Sequence, residues 1–189
     1  MTIKEVFSKI LLSLGSAFLF YLSKDILLQW PVFQTDSTGQ VILYCLIANI
    51  IILGAFAFVG FAWPTYKLLP EGYYKISNPD RFQEMGRKVG LTLFQKFLLL
   101  TFWKDKKQRK RYFDGSRSGI KHWVIQSKSS EFGHFIPFVI IIGLSIWSLV
   151  LGFWTMAFVN LLLNIFINLY PVLLQRMHRA RLSRIIDRL

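Results

Sequence analysis

Cysteine occurs once in this 189-residue chain, at position 45 inside an apolar stretch, so no intramolecular disulfide can form and no thiolate cluster can assemble. Acidic residues are scarce, ten against 23 lysines and arginines. Histidine occurs three times, and His178 lies among arginines that would repel a cation, so no metal site is expected. A nucleophile elbow, a Walker A loop and a GxGxxG turn are all missing, which removes the hydrolase, P-loop and dinucleotide-binding readings. Internal repeats and low-complexity tracts are missing too. The widest gap is one of charge: the 41 residues from Phe135 to Gln175 carry none.

What fills these gaps is hydrocarbon. The chain is 53% apolar and 16% aromatic, the composition of an integral membrane protein. Val41 to Trp63 is a charge-free stretch of 23 residues, enough at ~1.5 Å per residue to cross a ~30 Å core. A weaker span covers about 6–30, interrupted by Lys24 and Asp25. It lacks a small-x-small cleavage site and is read as retained rather than as a signal peptide. The 41-residue run is about twice the hydrocarbon thickness as one helix, so it must fold back, and a tight turn near Gly152 gives spans at 134–151 and 154–174. The fold class predicted is an all-α integral membrane protein with four transmembrane helices, a loop over 64–133 and a tail over 175–189. Within the loop, Leu91 to Trp103 is too short to span and suits an interfacial or re-entrant helix. Trp30, Trp63 and Trp103, near apolar ends, read as interfacial belt residues.

Fifteen of the 23 basic residues lie between Lys67 and Lys128 and five more follow the last apolar run, while Pro31 to Gln40 has none. The positive-inside rule then places both termini and the long loop in the cytoplasm, in a multi-pass inner-membrane protein. Because topology accounts for the net charge of +13, no nucleic-acid partner is expected.

Glu131 and His134, at i, i+3 spacing, share a helical face at the mouth of the third span. They could form a proton-transfer unit in which the carboxylate orients the imidazole and raises its basicity, or they could be a helix-terminal charge beside an interfacial histidine. Asn160, Asn164 and Asn168 recur every fourth position. An amide stripe in a span could hold a polar headgroup or stabilise an oxyanion, or it could be interhelical glue. The run from Lys104 to Arg111 could bind phosphates or simply set topology.

Glu84-Met-Gly86-Arg87, Trp103-Lys104, Asp114-Gly115, Glu131-x-x-His134, Asn160, Asn168 and Gln175-Arg176-x-x-Arg179-x-Arg181-Leu182 follow one another in the order of a known pattern. On these motifs the chain, over about 74–186, resembles the glycosyl-4,4'-diaponeurosporenoate acyltransferase family. It departs at Gln126, Lys128, Met177-His178 and Ala180, and adds an N-terminal span and a longer hairpin. The resemblance implies transfer of an acyl chain to a hydroxyl of a lipid-linked or glycolipid acceptor. His134 would be the general base and Glu131 its orienting partner. Asn160 and Asn168 would position the headgroup or the oxyanion, and Arg176, Arg179 and Arg181 would attract the donor's phosphates. Gln175, Asp114, Trp103, Lys104 and Glu84 would complete substrate binding. The expected partners are membrane lipids, the acyl donor, a hydrophobic acceptor and a second copy of the chain. No cofactor is expected beyond acyl-CoA or acyl carrier protein as co-substrate. The rival expectation is a non-enzymatic membrane subunit or scaffold, with a transporter subunit behind it.

Overall fold

The computed structural model describes residues 2–33, 35, 37–101, 104 and 117–186, and the side chains of 117–118 and 183–186 are not described. Among the described residues helix is the only repeating structure. The elements are α1 (Ile3–Gln29), α2 (Thr38–Ala62), a 3₁₀ turn (Thr65–Leu68), α3 (Glu71–Tyr74), α4 (Pro79–Lys88), α5 (Leu91–Leu100), α6 (Arg117–Val150), α7 (Trp154–Asn164), a π-helical segment (Ile165–Leu169) and α8 (Tyr170–Ile186). Among the described residues four stretches are long and apolar enough to cross a membrane: Ile3–Gln29, Thr38–Ala62, Gly119–Val150 and Trp154–Leu182.

Local chemistry sets the boundaries. Thr2 and Glu5 form a reciprocal capping box at the start of α1, and Ser37 caps α2 by accepting from the Gln40 backbone. Pro64 follows the extended Trp63 and stops α2. Asn78 caps α4 with Pro79 in its first turn. The hairpin turn predicted near Gly152 is there: this glycine takes φ +82°, a left-handed conformation that costs other residues energy.

Two differences from the sequence reading concern the loop and the tail. Residues 117–133 are the first turns of α6 and residues 175–186 are the last turns of α8. At ~1.5 Å per residue the 34-residue α6 is ~50 Å long, well beyond the hydrocarbon core. Charged side chains such as Lys121 and Lys128 mark the end of apolar sequence, but nothing there breaks a helix. His122, expected in the loop, lies in α6 and shares a 3.4 Å contact with Gln126 one turn on.

Contacts divide the chain into two compact units, Met1–Thr65 with Phe132–Leu169 and Tyr66–Glu131 with Tyr170–Leu189. In the first unit α1 runs antiparallel to α2, fastened by Ser16 Oγ donating to the Ala55 carbonyl at 2.8 Å and Tyr44 OH donating to the Ile26 carbonyl at 3.3 Å. Its core gathers Trp30, Cys45, Ala48, Ile52, Ile141, Leu144 and Met156. Trp30, expected in an interfacial belt, is fully buried because its indole N–H finds Ser148 Oγ at 2.9 Å.

In the second unit α4 and α5 pack on α8 around Leu91, Leu174 and Met177. Gly86 permits the approach: a Cβ there would lie 3.0 Å from Leu91 Cδ1 and 3.3 Å from Met177 Sδ. Gln83 Nε2 donates to the Ala180 carbonyl at 3.2 Å, and Tyr170 OH to the Val89 carbonyl at 2.8 Å.

Candidate active site

The amide stripe is a ladder inside the first unit. Asn160, Asn164 and Asn168 are all fully buried, and so is Asn49 of α2. An unpaired amide in such a place costs roughly 2–7 kcal/mol, so the side chains pair. Asn160 Nδ2 donates to the Ile141 carbonyl at 3.3 Å and to Ser145 Oγ at 3.0 Å, and its Oδ1 accepts from Asn49 Nδ2 at 2.9 Å. Asn164 Nδ2 donates to the Phe138 carbonyl at 3.0 Å, and its Oδ1 accepts from Asn168 Nδ2 at 2.9 Å. Asn168 Nδ2 also reaches Asn49 Oδ1 at 3.5 Å. The rungs climb α7 as they descend α6, which is the register of an antiparallel hairpin turned at Gly152.

The last rung is different. The His134 imidazole lies against the Asn168 side chain and the Ile167 backbone. Ile167 is a natural acceptor there, because Pro171 has no N–H and the carbonyl four residues before it loses its intrahelical donor. The π-helical segment that precedes Pro171 is the local distortion such a proline calls for. Two buried atoms at this rung, His134 Nδ1 and Asn168 Oδ1, complete no hydrogen bond of good geometry. Asn160, by contrast, spends both amide protons and its oxygen inside the ladder, so it has no donor to offer without breaking a rung.

Glu131 belongs to the second unit. It is fully buried, and both carboxylate oxygens accept from guanidinium groups: Oε1 from Arg176 Nε at 2.7 Å, Oε2 from Arg179 Nη2. Arg176 Nη2 donates to the Tyr73 carbonyl at 3.2 Å, and its guanidinium lies 4.6 Å from the Tyr73 ring centroid. Arg179 Nη1 donates to Ser127 Oγ at 2.8 Å, and Ser127 donates onward to the Gln175 carbonyl at 3.2 Å. Lys128 pairs with Glu71 and lies 5.2 Å from the Tyr74 ring centroid. Burial, then the Glu131 carboxylate, pushes the Tyr73 phenol up to about 12 and raises that of Tyr74 as well.

The remaining sequence-predicted residues are scattered. Gln175 donates to Ser130 Oγ at 3.2 Å, and the exposed Arg181 reaches Gln95 Oε1 at 3.4 Å. Glu84 is exposed and paired with Lys88 at 2.7 Å, and Lys104 is exposed. Trp103 and Asp114 lie outside the described residues. Among the described residues no group of three His, Cys, Asp or Glu side chains could hold a metal ion. Sequence reasoning passed over Asn49, Tyr73, Tyr74 and Ser127. Asn49 left a signal, since it is the one carboxamide in the charge-free stretch from Val41 to Trp63.

A helical, multi-pass membrane protein with a buried amide ladder and a carboxylate clasped by two arginines is the class these features define. Residues 70–188 match the family model described as glycosyl-4,4'-diaponeurosporenoate acyltransferase, and the chain belongs to that family. Comparison with curated proteins and with solved structures found no match.

Proposed function

We propose that the protein transfers an acyl chain from a thioester donor, acyl-CoA or acyl carrier protein, to a hydroxyl of a glycosylated lipid acceptor of the carotenoid-glycoside kind at the cytoplasmic leaflet. Family membership supports the reaction type. The single observation that carries the site is the contact of the His134 imidazole with the Asn168 side chain, where neither His134 Nδ1 nor Asn168 Oδ1 completes a hydrogen bond of good geometry. A hydroxyl group is the partner they lack: it can give its proton to a ring nitrogen that has none to share. In this reading the acceptor oxygen attacks the thioester carbonyl carbon, a C–O bond forms, and the hydroxyl proton passes to His134. Collapse of the tetrahedral intermediate breaks the C–S bond. The proton then goes from His134 to the departing thiolate, leaving an ester and a free thiol.

The orienting partner of His134 in this scheme is the Ile167 carbonyl rather than Glu131, whose oxygens are taken. Among the described residues Arg176, Arg179 and Lys128 form ion pairs with Glu131 and Glu71, three cations against two anions, and that excess supports recognition of the donor's phosphates. The basic excess at 67–128 and after Arg176 supports cytoplasmic termini in an inner membrane. Purified protein supplied with labelled acyl-CoA and a glycolipid extract tests the reading. Wild type should form labelled ester and His134→Ala should not. Equal transfer by both would overturn the role of His134.

The self-contained pairing of Asn160 favours a second reading, a scaffold whose ladder only fastens helices. Loss of a co-purifying partner in Asn160→Leu, with ester formation absent from wild type, would support it.

A further inference from the structure

The first two helices lie outside the matched residues 70–188, and the reaction proposed above places none of its residues in the groove they form. Val6, Lys9, Ile10, Ser13 and Leu14 are spaced by three and four along α1 and so share one face. Together with Trp63, at the end of α2, they line a groove of about 400 Å³. Val6, Ile10 and Leu14 are exposed and apolar. The polar edge is built from three residues. The Lys9 ammonium lies 5.1 Å from the Trp63 ring centroid, and Trp63 Nε1 donates to Ser13 Oγ at 3.1 Å. Ser13 accepts there and still has its own proton to give.

Lys9 forms no ion pair among the described residues. Glu5, one turn earlier, is turned to the helix start, where its Oε2 accepts from the Thr2 backbone at 2.8 Å. Lys24, near the other end of α1, makes the informative contrast. It too lies over a ring, 4.9 Å from the Tyr21 centroid, but it is paired with Asp25 at 3.6 Å. Of the three lysines of α1, only Lys24 is paired among the described residues, and of the other two, Lys4 and Lys9, it is Lys9 that stands at the edge of an apolar groove beside an indole, the side chain that favours the headgroup level of a bilayer.

We propose that this groove binds one bilayer phospholipid with a net negative headgroup. Its phosphate sits between the Lys9 ammonium and the Ser13 hydroxyl, and an acyl chain lies along Val6, Ile10 and Leu14. Charge decides the headgroup: a zwitterionic lipid brings its own ammonium next to Lys9, whereas an anionic one leaves the phosphate to the lysine.

Native mass spectrometry of the full chain in detergent, with phosphatidylglycerol or phosphatidylcholine added, tests this. Wild type should retain one phosphatidylglycerol about fivefold better than phosphatidylcholine, the factor one basic residue near an anionic surface supplies. Lys9→Gln should abolish the preference, while Lys9→Arg and Lys24→Gln should keep it. Equal retention of the two lipids by wild type, or a preference that survives Lys9→Gln, would overturn the proposal. Should Lys9→Gln not fold, phosphatidylglycerol with brominated chains should quench the Trp63 share of the fluorescence, wild type less Trp63→Phe, more than the brominated phosphatidylcholine. Equal quenching would overturn it as well.

Discussion

Asn49 donates to Asn160 through a 2.9 Å hydrogen bond between two fully buried amides, one on α2 and the other on α7. The same Asn49 accepts from Asn168. A single side chain outside the family match thus touches both ends of the amide stripe.

Removing it should be felt at both ends. Asn49→Leu leaves Asn160 Oδ1 without its donor and Asn168 Nδ2 without one acceptor, and we expect a loss of about 1–3 kcal/mol. Reversible unfolding in mixed detergent micelles measures it. A double-mutant cycle with Asn160→Leu should give a coupling of about 0.6 kcal/mol, the average for interhelical hydrogen bonds in lipid, and no more than about 1.7 kcal/mol. A coupling of zero would mean the pair adds nothing.

His134→Ala should reduce ester formation by about 10²–10⁴-fold, the usual contribution of a general base, with helix content by circular dichroism unchanged. Asn168→Leu should also lower the rate, because it removes the oxygen beside the imidazole. Activity equal to wild type in both variants would leave the last rung without a chemical part.

Glu131→Gln should destabilise the second unit strongly, by about 3–5 kcal/mol, since it leaves Arg176 and Arg179 facing a neutral amide in a buried site. Lys128→Ala should cost at most about 1 kcal/mol, because its partner Glu71 is 77% exposed and water replaces it. Thermal unfolding of the two variants side by side checks the order. If they unfold alike, the clasp is not a stabilising unit.

The tyrosines set a pH dependence. Tyr73 has its folded value raised to about 12 from an ordinary 10, so between these limits the folded state holds more protons than the unfolded one. Its contribution is complete below pH 10 and is lost as pH climbs through 12. Wild type should therefore lose stability over pH 10–12 more steeply than Tyr73→Phe. Tyrosinate absorbance, followed in the same interval, should show a late-titrating phenol that the variant lacks.

Much of the scaffold is visible in sequence because hydropathy and helix punctuation are local. The 41-residue run without charge demands a hairpin, and Gly152 marks where it turns. The continuation of α6 back to Arg117 is not visible in the same way, since charge there signals the end of apolar sequence and says nothing about the end of helix. Glu131 shows a further limit. Its spacing to His134 is short and legible, but its oxygens are claimed by Arg176 and Arg179, 45 and 48 positions away, and no local pattern encodes that choice. Asn160 was legible as a buried amide, yet its saturation depends on Asn49 on another helix.

A ladder whose rungs repeat every four residues has a weakness that one turn of helix exposes. If α7 slid by four positions along α6, Asn160 would meet the level of Phe138 and Asn164 that of His134, so two rungs would re-form and the slipped hairpin would lose only one. Two stops prevent this. The tight turn at Gly152 has no slack to feed the slide, and Asn49, fixed at a single height on α2, meets Asn160 and Asn168 in one alignment only. The repeat thus works as a vernier between the two hairpin helices, and Asn49 on α2 reads it.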